Sequence, residues 1–302
     1  MQKGLKNIVQ TTFASLLAGA LIAAAPVQAQ EGKPIRLGWT AWSDAEVVTK
    51  MAQQVLEERL GYDVELILAD IGLQYQGVAK GDMDVMLTVW LPLTHQAYWE
   101  KFSDQVVDIG VIYGGAKLGW VVPTYVPESE LNSIEDLTKP EVKDKLKSTI
   151  QGIDPGAGLM QASETVLTEY GLEDYTLLSA SDAAMTAAID RAVRRDEWIV
   201  ATAWNPHWMF ASWDLRYLED PKGVLGGGEE VHGIVRAGFE EDYPQAAAFL
   251  FNYKLDLAEL ETIMLEATKT SSEEAAAAYL EAHPELIDEW VKPALDKPKF
   301  GS

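Results

Sequence analysis

The sequence predicts an α/β protein with two lobes, each built on a mostly parallel sheet. Strand-like and helix-like segments alternate over 35–89 and again over 147–203, which is typical of a parallel sheet with helices on its faces. The glycine-rich and then β-like segment 113–125 is interpreted as the crossing between the lobes. A helix-like stretch at 243–297 follows the second lobe. These observations together predict the two-lobed α/β class.

The elements of the first lobe follow from hydrophobic spacing and from turn residues. Val48, Met51 and Val55 recur at roughly helical spacing. Gly61 follows them, and glycine is the residue that most often ends a helix. The predicted elements are a strand at 35–40, a helix at 45–60, a strand at 64–68, a helix at 75–80 and a strand at 85–89.

The second lobe repeats this pattern, and the chain then returns to the first lobe. The predicted elements are a strand, turn and helix within 147–170, a helix at 183–194, a strand at 198–203, a returning strand at 229–237 and helices at 244–251, 255–268, 271–281 and 284–295. The resulting division is a leader at 1–29, the first lobe at 30–116, the second lobe at 117–232 and the remainder of the first lobe at 233–302.

The N-terminal segment has the pattern of a cleaved secretory signal. Lys3 and Lys6 precede an apolar run at 13–25, and Val27-Gln-Ala29 supplies the small residues of a cleavage site. Cleavage after Ala29 predicts a periplasmic protein. No cysteine is present to carry a lipid anchor. No later segment has the ~20 consecutive apolar residues that span a bilayer.

Charge and composition argue against several classes of function. The formal charge of −23 becomes −25 once the leader, with two lysines and no acid, is removed. Nucleic-acid binding depends on lysine and arginine at phosphates, so no nucleic-acid partner is expected. The absence of cysteine excludes disulfides and thiolate metal sites. Four scattered histidines without a carboxylate cluster predict no zinc site, and we expect neither metal nor cofactor.

Two strand-like segments end with the same Trp-x-Pro pattern. Trp90 precedes Pro92, and Trp204 precedes Pro206. Proline cannot donate to a ladder, so each strand should stop there and place its indole at the strand end. Trp42 follows the first strand of the chain. Taken singly, each indole is more often a core residue. Three at strand ends suggest a box of π-faces, which can hold a quaternary ammonium group.

A glycine-rich turn, Gly156-Ala-Gly158, opens a helix. Helix N-termini offer free N–H groups to a carboxylate or phosphate. No Gly-Lys-Ser/Thr follows, and the G-x-G-x-x-G spacing fails at Gln161, so this is neither a P-loop nor a dinucleotide fingerprint. An ordinary tight turn is the alternative interpretation. An aromatic box together with an anion notch would suit a small zwitterion.

Catalysis is the main alternative class of function. A periplasmic hydrolase or lyase acting on a choline ester would need a nucleophile or a metal, and no G-x-S-x-G elbow is present. The many carboxylates are interpreted as solvated helix faces, and His207 and His232 as structural residues. A receptor subunit that only reports ligand to a sensor is a further alternative.

Several motifs together resemble the OpuAC-like glycine betaine/proline betaine substrate-binding proteins of ABC importers. They are Ala41-Trp-Ser-Asp-Ala-Glu46, Val89-Trp-Leu-Pro-Leu-Thr-His95, Gly152-Ile-Asp-Pro-Gly-Ala-Gly158, Ser179-Ala-Ser-Asp-Ala-Ala-Met-Thr186, Trp204-Asn-Pro-His-Trp-Met-Phe210 and Tyr217-Leu-Glu-Asp-Pro-Lys-Gly223. The resemblance extends from Ile35 to about Trp290. It implies a two-lobed, type II periplasmic binding protein that holds its ligand in the interlobe cleft.

The resemblance also implies the binding residues and the partners. A tryptophan prism around a trimethylammonium group matches Trp42, Trp90 and Trp204. The ligand carboxylate would be held by the backbone amides of Gly158 and Leu159 and by the ring of His95. The protein would be a monomer that delivers its ligand to an ABC permease and ATPase complex, with no enzymatic activity.

The identity of the ligand is left open within a narrow chemical range. Glycine betaine, proline betaine and dimethylsulfoniopropionate all combine a cation with a carboxylate. Choline-binding relatives carry polar residues where this chain has Ala157 and Gly158, so the resemblance favours a carboxylate here. Choline and carnitine remain the alternatives.

Overall fold

The computed structural model describes residues 32–300, and the predicted leader at 1–29 lies outside the described residues. The strands are β1 (Ile35–Trp39), β2 (Val64–Leu68), β3 (Val85–Leu91), β4 (Val106–Pro123), β5 (Thr149–Gln151), β6 (Thr176–Leu178), β7 (Ala201–Asn205), β8 (Leu215–Tyr217) and β9 (Gly228–Arg236). They form one continuous sheet in the order β2-β1-β3-β9-β4-β7-β5-β6, and β8 pairs with β4.

Helices of varied length connect and cover these strands. They are α1 (Ser43–Gln54), α2 (Ile71–Lys80), α3 (Gln96–Phe102), α4 (Pro140–Leu146), α5 (Gly158–Glu169), α6 (Asp182–Val193), α7 (Met209–Ser212), α8 (Phe239–Asp242), α9 (Pro244–Asn252), α10 (Leu257–Ala267), α11 (Ser272–Ala282) and α12 (Pro284–Leu295). No helix within residues 32–300 combines the length and the apolar character that a membrane span requires.

The sequence-based elements are confirmed in type and order, with shifts at their ends. Helix α2 begins at Ile71, four residues before its predicted start: Asp70 is its N-cap residue, and Gly72 interrupts the apolar pattern in the first turn. Strands β3 and β7 stop directly before Pro92 and Pro206, as expected for residues without an N–H donor. The two Trp-x-Pro motifs therefore do end strands.

Two groups of parallel strands are joined by the long strand β4. The first group is β2, β1 and β3, and the second is β7, β5 and β6. Strand β4 pairs with β9 from Val106 to Lys117 and with β7 from Lys117 to Val121. Strand β9 pairs with β3 on its other side. The two-lobed prediction is confirmed, and β4 and β9 form the middle of the sheet between the lobes.

The C-terminal helices pack on the first lobe. Helix α12 packs on α9, and α11 lies against α1 and α10. Trp290 of α12 meets the ring of Tyr253 edge to face at 4.9 Å, and the Tyr253 hydroxyl donates to the Val48 carbonyl of α1 at 2.9 Å. This packing holds α1 in place, and the N-terminus of α1 reaches the cleft.

Candidate ligand-binding site

One cavity between the lobes is lined by every residue that the sequence singles out. Trp42, Trp90, His95, Gly158, Leu159 and Trp204 all face it, together with Thr94, Leu118, Ile153 and Ala157. Trp90 and His95 come from the end of β3, while Gly158 and Leu159 open α5. The cavity thus combines aromatic surface from both lobes with one histidine and one helix start.

The three indoles are almost completely buried. Their exposed fractions are 6% for Trp42, 3% for Trp90 and 3% for Trp204. The rings of Trp42 and Trp204 lie 6.5 Å apart and tilted by 57°. Trp42 Nε1 donates to Asp154 at 2.9 Å, and Trp204 Nε1 donates to Asp44 at 2.9 Å. Because carboxylates occupy both N–H groups, these two indoles offer the cavity their ring surfaces.

His95 presents a single free donor. The Trp90 backbone N–H donates to His95 Nδ1 at 3.1 Å, so the ring proton must lie on Nε2. Nε2 is buried and has no hydrogen-bond partner among the described residues. Burial lowers the pKa of His95 to about 3, so the ring stays neutral at physiological pH. A buried, unpaired N–H donor beside a cavity is suited to an acceptor on a ligand.

The start of α5 supplies further donors. The N-cap residue Ala157 has no side chain that can accept from the first turn, and the first N–H groups of a helix have no acceptor within it. The fit here is close: a Cβ on Gly158 would lie 2.0 Å from the Thr94 carbonyl oxygen. Only glycine allows the second lobe to approach the β3 turn at this point.

The sequence analysis missed several buried carboxylates, and two of them, Asp44 and Asp182, lie where the lobes meet. Asp44 accepts from the Tyr113 hydroxyl at 2.7 Å and from Trp204. Burial raises the pKa of Asp44, while these two hydrogen bonds oppose that effect. Asp182 is also buried and accepts from Ser43 of the other lobe. The interpretation of the acids as solvated helix faces is wrong for these two and for the buried Asp84 and Glu229. The available signal for Asp44 and Asp182 was their place within the motifs at 41–46 and 179–186.

Ser43, Asp182 and His207 lie together, but not as a catalytic triad. The Met209 backbone N–H donates to His207 Nδ1 at 3.0 Å, which places the ring proton on Nε2. Nε2 lies 3.0 Å from Asp182 Oδ1 and 3.3 Å from Ser43 Oγ. A general base would need a lone pair facing the serine, and here it is an N–H that faces it. The cluster is therefore a hydrogen-bonded contact.

Metal ligation has little support in the geometry. Within residues 32–300 no group of three or more histidine, aspartate or glutamate side chains is placed to hold a metal ion. His232 is occupied by Asp108, with Nδ1 3.0 Å from the carboxylate.

The fold and the site define a two-lobed binding protein of the kind that serves ABC importers. Residues 33–282 match the OpuAC family, described as the substrate binding domain of ABC-type glycine betaine transport system. The chain belongs to this family. Its members are transport substrate-binding proteins, and the hydrolase alternative is set aside.

Individual relatives agree with this assignment. The chain is 37% identical to lactococcal OpuAC in its closed-liganded conformation complexed with glycine betaine, with a TM-score of 0.79 and coverage of 86% of this chain and 100% of that one. An ABC-transporter choline binding protein in complex with choline shows 28% identity, a TM-score of 0.80 and coverage of 86% and 91%.

A curated relative matches over a shorter length. The glycine betaine/carnitine transport binding protein GbuC of Listeria monocytogenes is 38% identical over 155 residues, which is 50% of this chain. The match spans 52% of the Listeria protein, so about half of that relative's length is covered.

Proposed function

We propose that this chain binds glycine betaine or a close zwitterionic analogue between its lobes and delivers it to an ABC permease and ATPase complex. Proline betaine and dimethylsulfoniopropionate belong to the same chemical range. One observation carries the proposal: three indoles and the free N–H of His95 line the same cavity, beside the start of α5. This arrangement matches a molecule that is cationic at one end and anionic at the other.

The aromatic end suits a quaternary ammonium or sulfonium group. Such a cation cannot donate a strong hydrogen bond, so ring faces are its best partners, each contributing ~1–2 kcal/mol when desolvated. Leu118 and Ile153 complete an apolar lining. The carboxylate of Asp44, behind the N–H of Trp204, adds negative charge near the cation.

The polar end suits a carboxylate. His95 Nε2 is a buried donor without a partner among the described residues, and the first N–H groups of α5 belong to Gly158 and Leu159, which line the same cavity. Charge-assisted hydrogen bonds of this kind contribute roughly 1–3 kcal/mol each. Together with the cation contacts, they would allow micromolar binding after the cost of association.

Ligand binding and lobe closure should be coupled. Trp42, Trp90 and His95 belong to the proposed first lobe, whereas Gly158 and Trp204 belong to the second. The proposed lobe boundary at 116/117 is supported by the change of partner along β4 at Lys117. The return to the first lobe, proposed at 233, falls on β9, which already pairs with β3 from Glu230. A ligand completes its contacts only when both lobes meet.

The cellular setting is part of the same proposal. We expect export through cleavage after Ala29, a periplasmic location without a lipid anchor, and a monomeric protein. The OpuAC family assignment supports an importer as the partner.

Titration calorimetry with glycine betaine, proline betaine, dimethylsulfoniopropionate, carnitine and choline tests the proposal. Choline should bind less well than glycine betaine, because its hydroxyl cannot replace a carboxylate at His95 and at the start of α5. Equal or tighter binding of choline would place the protein with the choline binders. Absence of binding to every one of these ligands would refute the proposed function.

A further inference from the structure

The N-terminus of α1 is one place where the two lobes are joined by several hydrogen bonds. Three consecutive residues there each bind a different side chain of the second lobe. Trp42 donates to Asp154, Ser43 donates to Asp182, and Asp44 accepts from Trp204; the three contacts span 112, 139 and 160 residues of sequence. Trp42 and Trp204 line the ligand cavity, so their contacts cannot be separated from ligand binding.

The contact between Ser43 and Asp182 differs, because neither residue lines the ligand cavity. Both line a second cavity of about 510 Å³, which Trp208 also lines. The two side chains themselves would therefore not touch the ligand, although His207, which binds Asp182, packs edge to face on Trp204 at 4.6 Å.

The Ser43 and Asp182 contact is short, buried and fully paired. Asp182 is 4% exposed. Its Oδ2 accepts from the Ser43 backbone N–H at 2.9 Å and from Ser43 Oγ at 2.7 Å. Its Oδ1 lies 3.0 Å from His207 Nε2 in its own lobe. Trp208 Nε1 donates to Ser43 Oγ at 3.0 Å, so the serine hydroxyl is satisfied in both directions.

Helix α1 depends on this contact for its N-terminal cap. Its N-cap residue is Trp42, whose side chain makes no capping hydrogen bond. The first N–H groups of a helix need an acceptor, and a carboxylate there also interacts favourably with the helix dipole. Asp182 takes the place of a local cap, but from the opposite lobe. If the lobes separated, water would have to replace Asp182 at Ser43, whereas His207 lies in the same lobe as Asp182.

We propose that Asp182 acts as a latch: it caps α1 from across the cleft and stabilises the closed arrangement of the lobes without contacting the ligand. It is a positioning residue, and it sets how long a ligand stays bound. If only a fraction of the protein reaches the closed arrangement, the apparent affinity falls by that fraction. The measurement of ligand dissociation rests on the proposed function, whereas the distance between the lobes without ligand does not.

The absence of cysteine allows site-specific labelling to test the latch. Glu58→Cys and Glu164→Cys place one spin label on an exposed position of each lobe. Interlobe distances are measured by pulsed electron paramagnetic resonance without ligand and with saturating glycine betaine. Asp182→Ala is compared with Asp190→Ala, a matched control on the same helix whose carboxylate binds the exposed Arg194.

The expected result is specific to Asp182. In Asp182→Ala the ligand-free distances should shift towards longer values, and glycine betaine should dissociate about tenfold faster, the factor that corresponds to 1.4 kcal/mol and to a typical lost N-cap. Asp190→Ala should leave both readouts unchanged. Ser43→Ala removes the hydroxyl but keeps the N–H, so it should show about a threefold effect.

The latch proposal would be overturned if Asp182→Ala left both the interlobe distances and the dissociation rate of glycine betaine unchanged. If Asp182→Ala does not fold, Ser43→Ala decides the matter by the same two readouts. If no betaine-type ligand binds the parent protein, the proposed function fails, and the ligand-free distances still decide whether the latch exists.

Discussion

Two buried carboxylates, Asp84 and Asp182, differ in their partners. Asp84 stabilises the inside of one lobe, whereas Asp182 connects the two lobes. Asp84 lies within the first lobe and accepts from Arg36 Nε at 2.9 Å and from Arg236 Nε at 2.6 Å. Burial raises the pKa of Asp84, but the hydrogen bonds and charges of the two arginines outweigh it and hold that pKa below its ordinary value. Asp182, between the lobes, has no arginine or lysine partner among the described residues.

The difference follows from what each contact must do. A buried ion pair is costly to break, because each charge is left without its partner. Such a pair suits Asp84, which joins β1 to β9 and need not separate. The Ser43 donors suit Asp182, because water can replace them when the cleft opens, while His207 lies in the same lobe as Asp182. The contact within the first lobe thus pairs a carboxylate with two arginines, whereas the contact between the lobes pairs a carboxylate with serine donors.

Breaking the contact within the first lobe should have the largest effect. Asp84→Asn is expected to destabilise the fold by about 3 kcal/mol, the lower end of the range for a broken buried pair, since both arginines reach solvent. Urea unfolding measures this. Ligand affinity of the folded protein should stay close to that of the parent, because Asp84 is not in the ligand cavity. A large loss of affinity with unchanged stability would reverse the assigned roles.

Removing an indole of the cavity should weaken glycine betaine binding while sparing the fold. Trp90→Ala or Trp204→Ala removes a π-face worth ~1–2 kcal/mol together with its packing, so affinity should fall roughly tenfold or more. Calorimetry provides the measurement. Trp198→Ala is the control, since Trp198 lies beside Lys145 away from the ligand cavity. Parent-like binding by both cavity variants would mean that the aromatic box is misassigned.

Substitution of His95 tests whether this residue contacts the ligand or only stabilises its own lobe. His95→Ala should weaken glycine betaine binding by about 1–2 kcal/mol, the value of one hydrogen bond to a charged group. Choline offers no carboxylate, so its binding should suffer less. Tryptophan fluorescence titrations with both ligands test this. An equal loss for the two ligands would show that His95 only braces the backbone of Trp90.

The smallest expected effect is a pH dependence that comes from the same histidine. The folded pKa of His95 is lowered to about 3, below its ordinary value of 6.5, so under pH 6.5 the unfolded chain binds a proton that the folded protein does not. Stability should therefore fall as the pH drops from 6.5 towards 3. Between pH 7.5 and 5.5 the contribution is about 1 kcal/mol.

Unfolding in urea at these two pH values, for the parent and His95→Gln, measures this contribution. The variant should show the smaller loss of stability on acidification. His232→Gln should change the pH dependence in the opposite direction, because the hydrogen bond with Asp108 raises the pKa of His232. Identical pH profiles for the parent and His95→Gln would contradict the lowered pKa.

The sequence by itself determined the parts of this protein that depend on neighbouring residues. The Trp-x-Pro motifs predicted where β3 and β7 end, and the glycine-rich turn predicted the start of α5. Proline and glycine act on the backbone at their own position, so their effect can be read without the fold. Local signals of this kind indicated Trp42, Trp90, Trp204 and the turn at Gly158, whereas the family resemblance implied the roles of His95 and Leu159.

Only the tertiary structure decided the contacts between lobes. Asp44 and Asp182 stand in the first turns of helices, where an acid is ordinarily solvated. Their burial results from the approach of residues 160 and 139 positions away, Trp204 and Ser43. The choice between Nδ1 and Nε2 in His95 and His207 depends equally on the folded turn around each ring. The local sequence pattern carries no information about such distant partners. The role of Asp182 as a latch can therefore be inferred only from the folded arrangement of the two lobes.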